Sequence, residues 1–241
     1  MNILLIDDLF VEVCGYIDNV KDLLELELLS KYHCKIIRNV KWIRFELWIG
    51  STEMLDAILA NHKFGNLRLF SDANDEHVSK LIDCHTLNLA DTKVTDKSVS
   101  KLINCYKLSL YATKVTDKSV SKLINCHTLY LNCTKVTDKS VSKLINCHTL
   151  NLWNTKVTDE SVSKLINCHI LDLDNTKVTD ESISKLINCH ILDLGHIKVT
   201  DESISKLINC KVLRFCRSCN EKSVSNECIE KLQQNGCIIN S

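Results

Sequence analysis

The residue types that could do chemistry recur at a fixed interval. Cysteine stands at Cys84, Cys105, Cys126, Cys147, Cys168, Cys189 and Cys210, always 21 residues apart. Histidine follows five of them, as His85, His127, His148, His169 and His190, with Tyr106 and Lys211 in the other two places. Thiolates and imidazoles are the ligands of zinc, so the pairing invites a metal reading. Stacked copies argue against it. Neighbouring strands lie about 4.8 Å apart, so a straight column offers an ion two ligands where a tetrahedral site needs four. Cysteine in such a column is a small buried hydrophobe, and a histidine place that also takes Tyr and Lys reads as a solvated strand edge. Cys216 and Cys219 form a CxxC near Cys210, Cys228 and Cys237. One CxxC without a second at zinc spacing reads as core thiols of a C-terminal cap. No nucleophile is paired with a base, no glycine-rich loop cradles phosphate, and the carboxylates fall on an open face. These residues predict no enzyme, no cofactor and no metal.

The elements that carry the columns repeat with them. The string KVTDKSVSKLINC at 93–105 returns unchanged at 114–126 and 135–147. It returns with Glu160 for lysine at 156–168, and with Glu plus Ile at 177–189 and 198–210, while a worn copy runs from Asp75 to Cys84. Self-similarity at 20–29 residues predicts a solenoid whose units bury their apolar faces only against one another. In each unit an alternating pair, such as Leu87 and Leu89, predicts a half-buried strand. Thr95 falls at a helix N-cap, Asp96 in the first turn where the helix dipole favours an anion, and Val94 and Val99 at the two ends of a hydrophobic staple. Val99, Leu102 and Ile103, at i, i+3 and i+4, predict one buried stripe. Asn104 is placed to end the helix. The result is an α/β coil, parallel strands on a concave face and short helices on a convex one.

The skeleton Cxx-LxL-xxT-xV-TDxSVxxLxx resembles the leucine-rich repeat in a short form, over roughly 42–240. Cysteine stands at the usual first leucine. Thr92, Thr113, Thr134, Thr155 and Thr176 stand at the usual asparagine of the turn, a column that Ile197 breaks. The regular units span about 72–218, with atypical caps at both ends. Phe45 and Leu47 read as a first degenerate strand, Met54 to Leu59 as a helix, and Leu67 and Leu69 as the next strand. Trp42 and Trp48 are placed to cover the joint with what precedes.

Composition bounds the setting. Formal net charge is zero and pI about 7.1, which announces neither a nucleic-acid nor a membrane-surface protein. No apolar run approaches the ~18 residues of a transmembrane helix, and MNILLIDDLF lacks the basic start of a signal peptide. The fourteen cysteines are therefore expected as thiols in a reducing compartment, cytoplasmic or nuclear.

Residues 1–41 leave the 21-residue period. Leu9, Val13 and Ile17 describe one apolar helical face, and Asp22 can cap a second helix carrying Leu23, Leu24, Leu26, Leu28 and Leu29. That is more leucine than one small helix uses internally, so part of it should face a partner. The stretch from Leu5 to Lys31 resembles an F-box: Leu5, Asp8, Leu9, Val13, Asp22, Leu23, Leu24, Leu29, Ser30 and Lys31 match the pattern without a gap. Ile6 replaces the family's proline and His33 its common aromatic. The resemblance implies a helical F-box over 1–41 preceding a solenoid over 42–241. It further implies a substrate-recognition subunit of a cullin-based ubiquitin ligase, with Leu5, Ile6, Asp8, Leu9, Val13, Leu23, Leu24 and Leu29 on a Skp-type adaptor. The alternative is a scaffold in which 1–41 is a plain cap. The near-identical copies and AT-rich bias also resemble repeat proteins of giant DNA viruses, which would make the ligase a host's.

The target face is read from what differs between copies. Outward strand positions change at almost every copy, while the thirteen-residue string varies at only two places. One column is Asn88, Ser109, Tyr130, Asn151, Asp172, Asp193, Arg214; the next is Ala90, Tyr111, Asn132, Trp153, Asp174, Gly195, Cys216. Tyr111, Tyr130 and Trp153, flanked by Asp172, Asp174, Asp193 and then Arg214, have the composition of a protein-binding hot spot. The lysine columns (Lys93 onward and Lys101 onward) read as a solvated convex face.

Overall fold

The computed structural model describes residues 41–42, 46–61, 63–216 and 223–240. The F-box expectation, Leu5 to Lys31, falls outside the described residues.

Each regular unit has a three-residue strand, followed in the six units from Thr86 to Ile204 by a four-residue helix. The strands are β5 (Thr86–Asn88), β6 (Lys107–Ser109), β7 (Thr128–Tyr130), β8 (Thr149–Asn151), β9 (Ile170–Asp172), β10 (Ile191–Asp193) and β11 (Val212–Arg214). Flanked by β2 (Leu47–Trp48), β4 (Asn66–Arg68) and β12 (Ile238–Asn240), they form one sheet in strict chain order. Every pairing is parallel; from β5 to β11 the stagger is 21 residues, as in Leu108↔Leu129, while the flanking pairs depart from it, as in Leu67↔Leu87 and Val212↔Ile238. β1 (Lys41–Trp42) pairs separately with β3 (Lys63–Phe64). The core is the set of in-register columns of Leu87, Leu89, Val94, Val99, Leu102 and Cys105 and their equivalents, all buried. Helix Asn226–Gln234 closes the C-terminal end with Cys228, Ile229 and Leu232 buried.

The constant T-D-x-S of the string has a cross-repeat role. Asp96 accepts from the next unit's Thr116 backbone N–H at 2.9 Å, Thr116 Oγ1 at 2.6 Å and Ser119 Oγ at 2.5 Å. Thr116 Oγ1, its proton so committed, accepts from Lys118 N and caps its own helix. The same arrangement holds Thr95 on Asp75 and Thr200 on Asp180, and Ser225 takes the threonine's place on Asp201. Burial alone would raise the Asp96 carboxyl, but the hydroxyl and amide donors outweigh it and hold the carboxyl below its usual range. The buried turn threonines are satisfied within their own unit, as where Thr92 Oγ1 donates to Leu89 O at 2.7 Å.

Five expectations change. The helix stops at Val99, with Ser100 rather than Asn104 at its C-cap. Beyond it the chain continues in i→i+3 turns: Leu102 N donates to Val99 O and Cys105 N to Leu102 O. At three residues per turn, residues i and i+3 eclipse, so Val99, Leu102 and Cys105 point inward together. Ile103 does not complete a buried stripe; it lies 45% exposed. The first degenerate strand is Leu47–Trp48, in register with Leu67–Arg68, so Leu47 and Ile49 stand where Phe45 and Leu47 were expected. Trp48 consequently stands on the open sheet face, 63% exposed, and does not cover a joint. Cys216 is disulfide-bonded and so is no free thiol, its partner lying outside the described residues.

Candidate functional site

The open face of the sheet gathers the variable positions. Strand pairing places Trp48, Arg68, Asn88, Ser109, Tyr130, Asn151, Asp172, Asp193 and Arg214 in one register line. Two residues further along, four successive units place Tyr111, Asn132, Trp153 and Asp174. Tyr111, Tyr130, Trp153, Asp172, Asp174 and Asp193 are half-buried, and Arg214 is exposed. A shallow depression of about 290 Å³ lies before Tyr130, lined also by Glu46, Asn88, Lys107 and Ser109. Trp48, Lys107 and Glu46 extend the face beyond the sequence-predicted residues; the register error at Phe45 had hidden Trp48.

The acidic end is built, not merely clustered. Asp172 Oδ2 accepts from Asn151 Nδ2 at 2.8 Å and its Oδ1 from Asp174 N at 3.1 Å. Desolvation, against those donors and with Asp193 and Asp174 nearby, pushes the Asp172 carboxyl up to about 6. Asp174 binds His196 through the backbone N at 2.8 Å and Nδ1 at 2.7 Å. A Cβ on Gly195 would stand 2.4 Å from the Asp174 carboxyl, so that fold-over needs glycine. Arg214 reaches Asp193 at 3.6 Å. A larger cavity of about 420 Å³, lined by Asp201, Ser225, Glu227 and Lys231, is the seam between helix Asp201–Ile204 and the C-terminal helix.

The cysteine and histidine columns separate in character. Cys105 Sγ donates to Lys107 O and His85 O, and burial pushes its thiol up to about 12. At neutral pH such a thiol stays protonated and is no nucleophile. The next column is more than a solvated edge: His85, Tyr106, His127, His148, His169 and His190 stack ring on ring, with centroids 4.4 to 5.1 Å apart. Parallel rings aim their nitrogens side by side and do not converge on an ion. Among the described residues no group of three or more His, Cys, Asp or Glu side chains is placed to hold a metal. Burial and then its imidazole neighbours lower the His148 pKa. Among the same residues no helix is long and apolar enough to cross a membrane.

Stacked units of strand and short helix define a leucine-rich-repeat solenoid. An internalin (InlF) from Listeria monocytogenes is similar, with 16% identity and a TM-score of 0.60 over 87% of this chain and 69% of that one. Internalin C2 from the same organism gives 23% identity and a TM-score of 0.52 over 68% and 72%. TLR13, solved in complex with ssRNA13, gives 18% and 0.53 over 89% of this chain and 33% of that one. No protein-family profile matches the chain, and no curated protein matches it. The likeness is one of fold.

Proposed function

We propose that this protein is a non-enzymatic protein-binding scaffold whose open sheet face holds a target. The observation that carries the reading is the division of labour within the repeat. The constant Thr, Asp, Ser, Leu and Cys are consumed by the cross-repeat hydrogen bonds and the core, while variation is concentrated in the outward strand columns. Half-buried aromatics beside carboxylates suit a partner presenting apolar and basic groups. Truncating Trp153, Tyr130 or Tyr111 to Ala is expected to leave the melting temperature nearly unchanged and to weaken target binding about thirtyfold. Replacing Lys101, Lys122 and Lys143 by Ala should leave binding nearly intact. A target, once captured, that tolerates all three aromatic truncations and is lost with the lysines would place the site on the helix side.

A finer reading rests on the resemblance of Leu5 to Lys31 to an F-box. In it the chain works in the cytoplasm or nucleus (a host's, if the chain is viral), as the target-recognition subunit of a cullin-based ubiquitin ligase, with 1–41 on a Skp-type adaptor. Charging Leu9 or Leu24 should then abolish adaptor co-purification while circular dichroism stays native. Wild-type chain that never retains the adaptor would leave the scaffold without the ligase.

A further inference from the structure

The helix side carries two exposed columns, one apolar and one charged; within the charged one Glu181 pairs with Lys185 of its own unit at 3.7 Å, an exposed contact worth little. Isoleucine recurs at every 21st residue from Ile82 to Ile208, each side chain 42 to 58% exposed. The eclipsed turns after each helix hold this column outward beside the neighbouring units' copies, so it forms a continuous stripe. At roughly 80–90 Å² apiece the seven expose about 600 Å² of apolar surface, the upper end of what a monomer's largest patch shows. With the flanking lysine stems this approaches the ~800 Å² per partner of a stable interface.

The second column says what covers the stripe. The second helical residue is Lys97, Lys118 and Lys139 in the first three copies, then Glu160, Glu181 and Glu202 in the last three, and all six are exposed. The sign therefore reverses at the middle of the array. Counting Asp96, Lys97 and Lys101, a leading helical turn carries +1; Asp201, Glu202 and Lys206 give a trailing one −1. A second copy laid antiparallel on this face sets Lys97 against Glu202, Lys118 against Glu181 and Lys139 against Glu160. The same twofold axis sets Ile103 against Ile208, Ile124 against Ile187 and Ile145 against Ile166. The repeat rise is common to both copies, so the register is kept along the row. A parallel arrangement would oppose lysine to lysine and glutamate to glutamate, which disfavours it.

We propose that the chain forms an antiparallel, twofold-symmetric dimer through the helix side, with the isoleucine stripe as its apolar centre and the Lys-to-Glu reversal as its orientation code. The interface is isologous and leaves both open sheet faces free for targets.

The test is sedimentation of the full chain at micromolar concentration and low salt, with circular dichroism on every variant. A dimer is expected for wild type. Ile145→Asn with Ile166→Asn should weaken it at least tenfold without loss of fold. Glu160→Lys, Glu181→Lys and Glu202→Lys together make the row all lysine and should weaken it comparably. Adding Lys97→Glu, Lys118→Glu and Lys139→Glu restores complementarity in the opposite sense, and the dimer should return. A wild-type chain that stays monomeric overturns the proposal. So does a dimer indifferent to the all-lysine row, or one that the full swap fails to restore.

Discussion

Asp117 shows how much one constant side chain carries. It accepts from Thr137 N, Thr137 Oγ1 and Ser140 Oγ of the following unit, so Asp117→Ala strips three donors at once. Because the site is partly open to water, the expected loss is about 2 kcal/mol rather than the sum of three bonds. Burial opposes ionisation at Asp75, Asp96, Asp117, Asp138, Asp159 and Asp180, yet the donors hold all six carboxyls below the usual range. A depressed folded-state pKa contributes stability that is present above the unfolded value, near 4, and lost as pH falls through the folded one. Melts taken from pH 6 down to pH 2.5 should therefore drop steeply below pH 4, and the drop should be shallower in Asp117→Asn. Ala112 is a second telling residue. It sits at φ 53, as Asn154 and Asn175 do at 54 and 53 in the equivalent turns. Alanine pays for a left-handed conformation that asparagine tolerates, so Ala112→Asn should raise stability by roughly 0.5–1 kcal/mol in chemical denaturation.

At the scale of elements, the stacked rings form one feature spread over six units. His148 titrates below a free imidazole because burial and then the charges of His169, His127 and His190 penalise its proton. A histidine with a lowered folded pKa makes the fold lose stability as pH falls below about 6.5, since the unfolded chain takes up the proton first. An NMR titration should place His148 below an ordinary histidine. His148→Tyr keeps a ring in the stack, as Tyr106 already does, and should remove that residue's share of the pH dependence between 7.5 and 5.5. The helices contribute little by propensity at four residues each; the cap bonds from the preceding unit and the buried Val99 and Leu102 columns hold them.

For the molecule as a whole, stability is a sum over units and the seams between them. Removing residues 114–134, one period, brings Asp96 against Thr137 and Ser140 with the pairing geometry unchanged. That deletion should yield a shorter, cooperatively folded solenoid. Removing only 114–123 places strand residues against helix residues and should abolish the transition seen by circular dichroism. If both deletions behaved alike, the nearest-neighbour account of this fold would be wrong.

The sequence by itself determined the period, the Thr95-type cap, the burial of the cysteine column and the two outward strand columns. These follow from local patterns of two residues in a strand and from the phase of the repeat. It misread Ile103, because i, i+3, i+4 spacing presumes 3.6 residues per turn while the chain there turns in three. It misplaced the first strand by two residues, since without a clean repeat only hydrogen-bonded register separates Phe45 from Leu47. The aspartate–threonine–serine bonds and the ring stack join residues 20 to 23 apart in sequence. Only stacking one unit on the next brings such pairs within bonding distance, and that rise is a property of the tertiary structure.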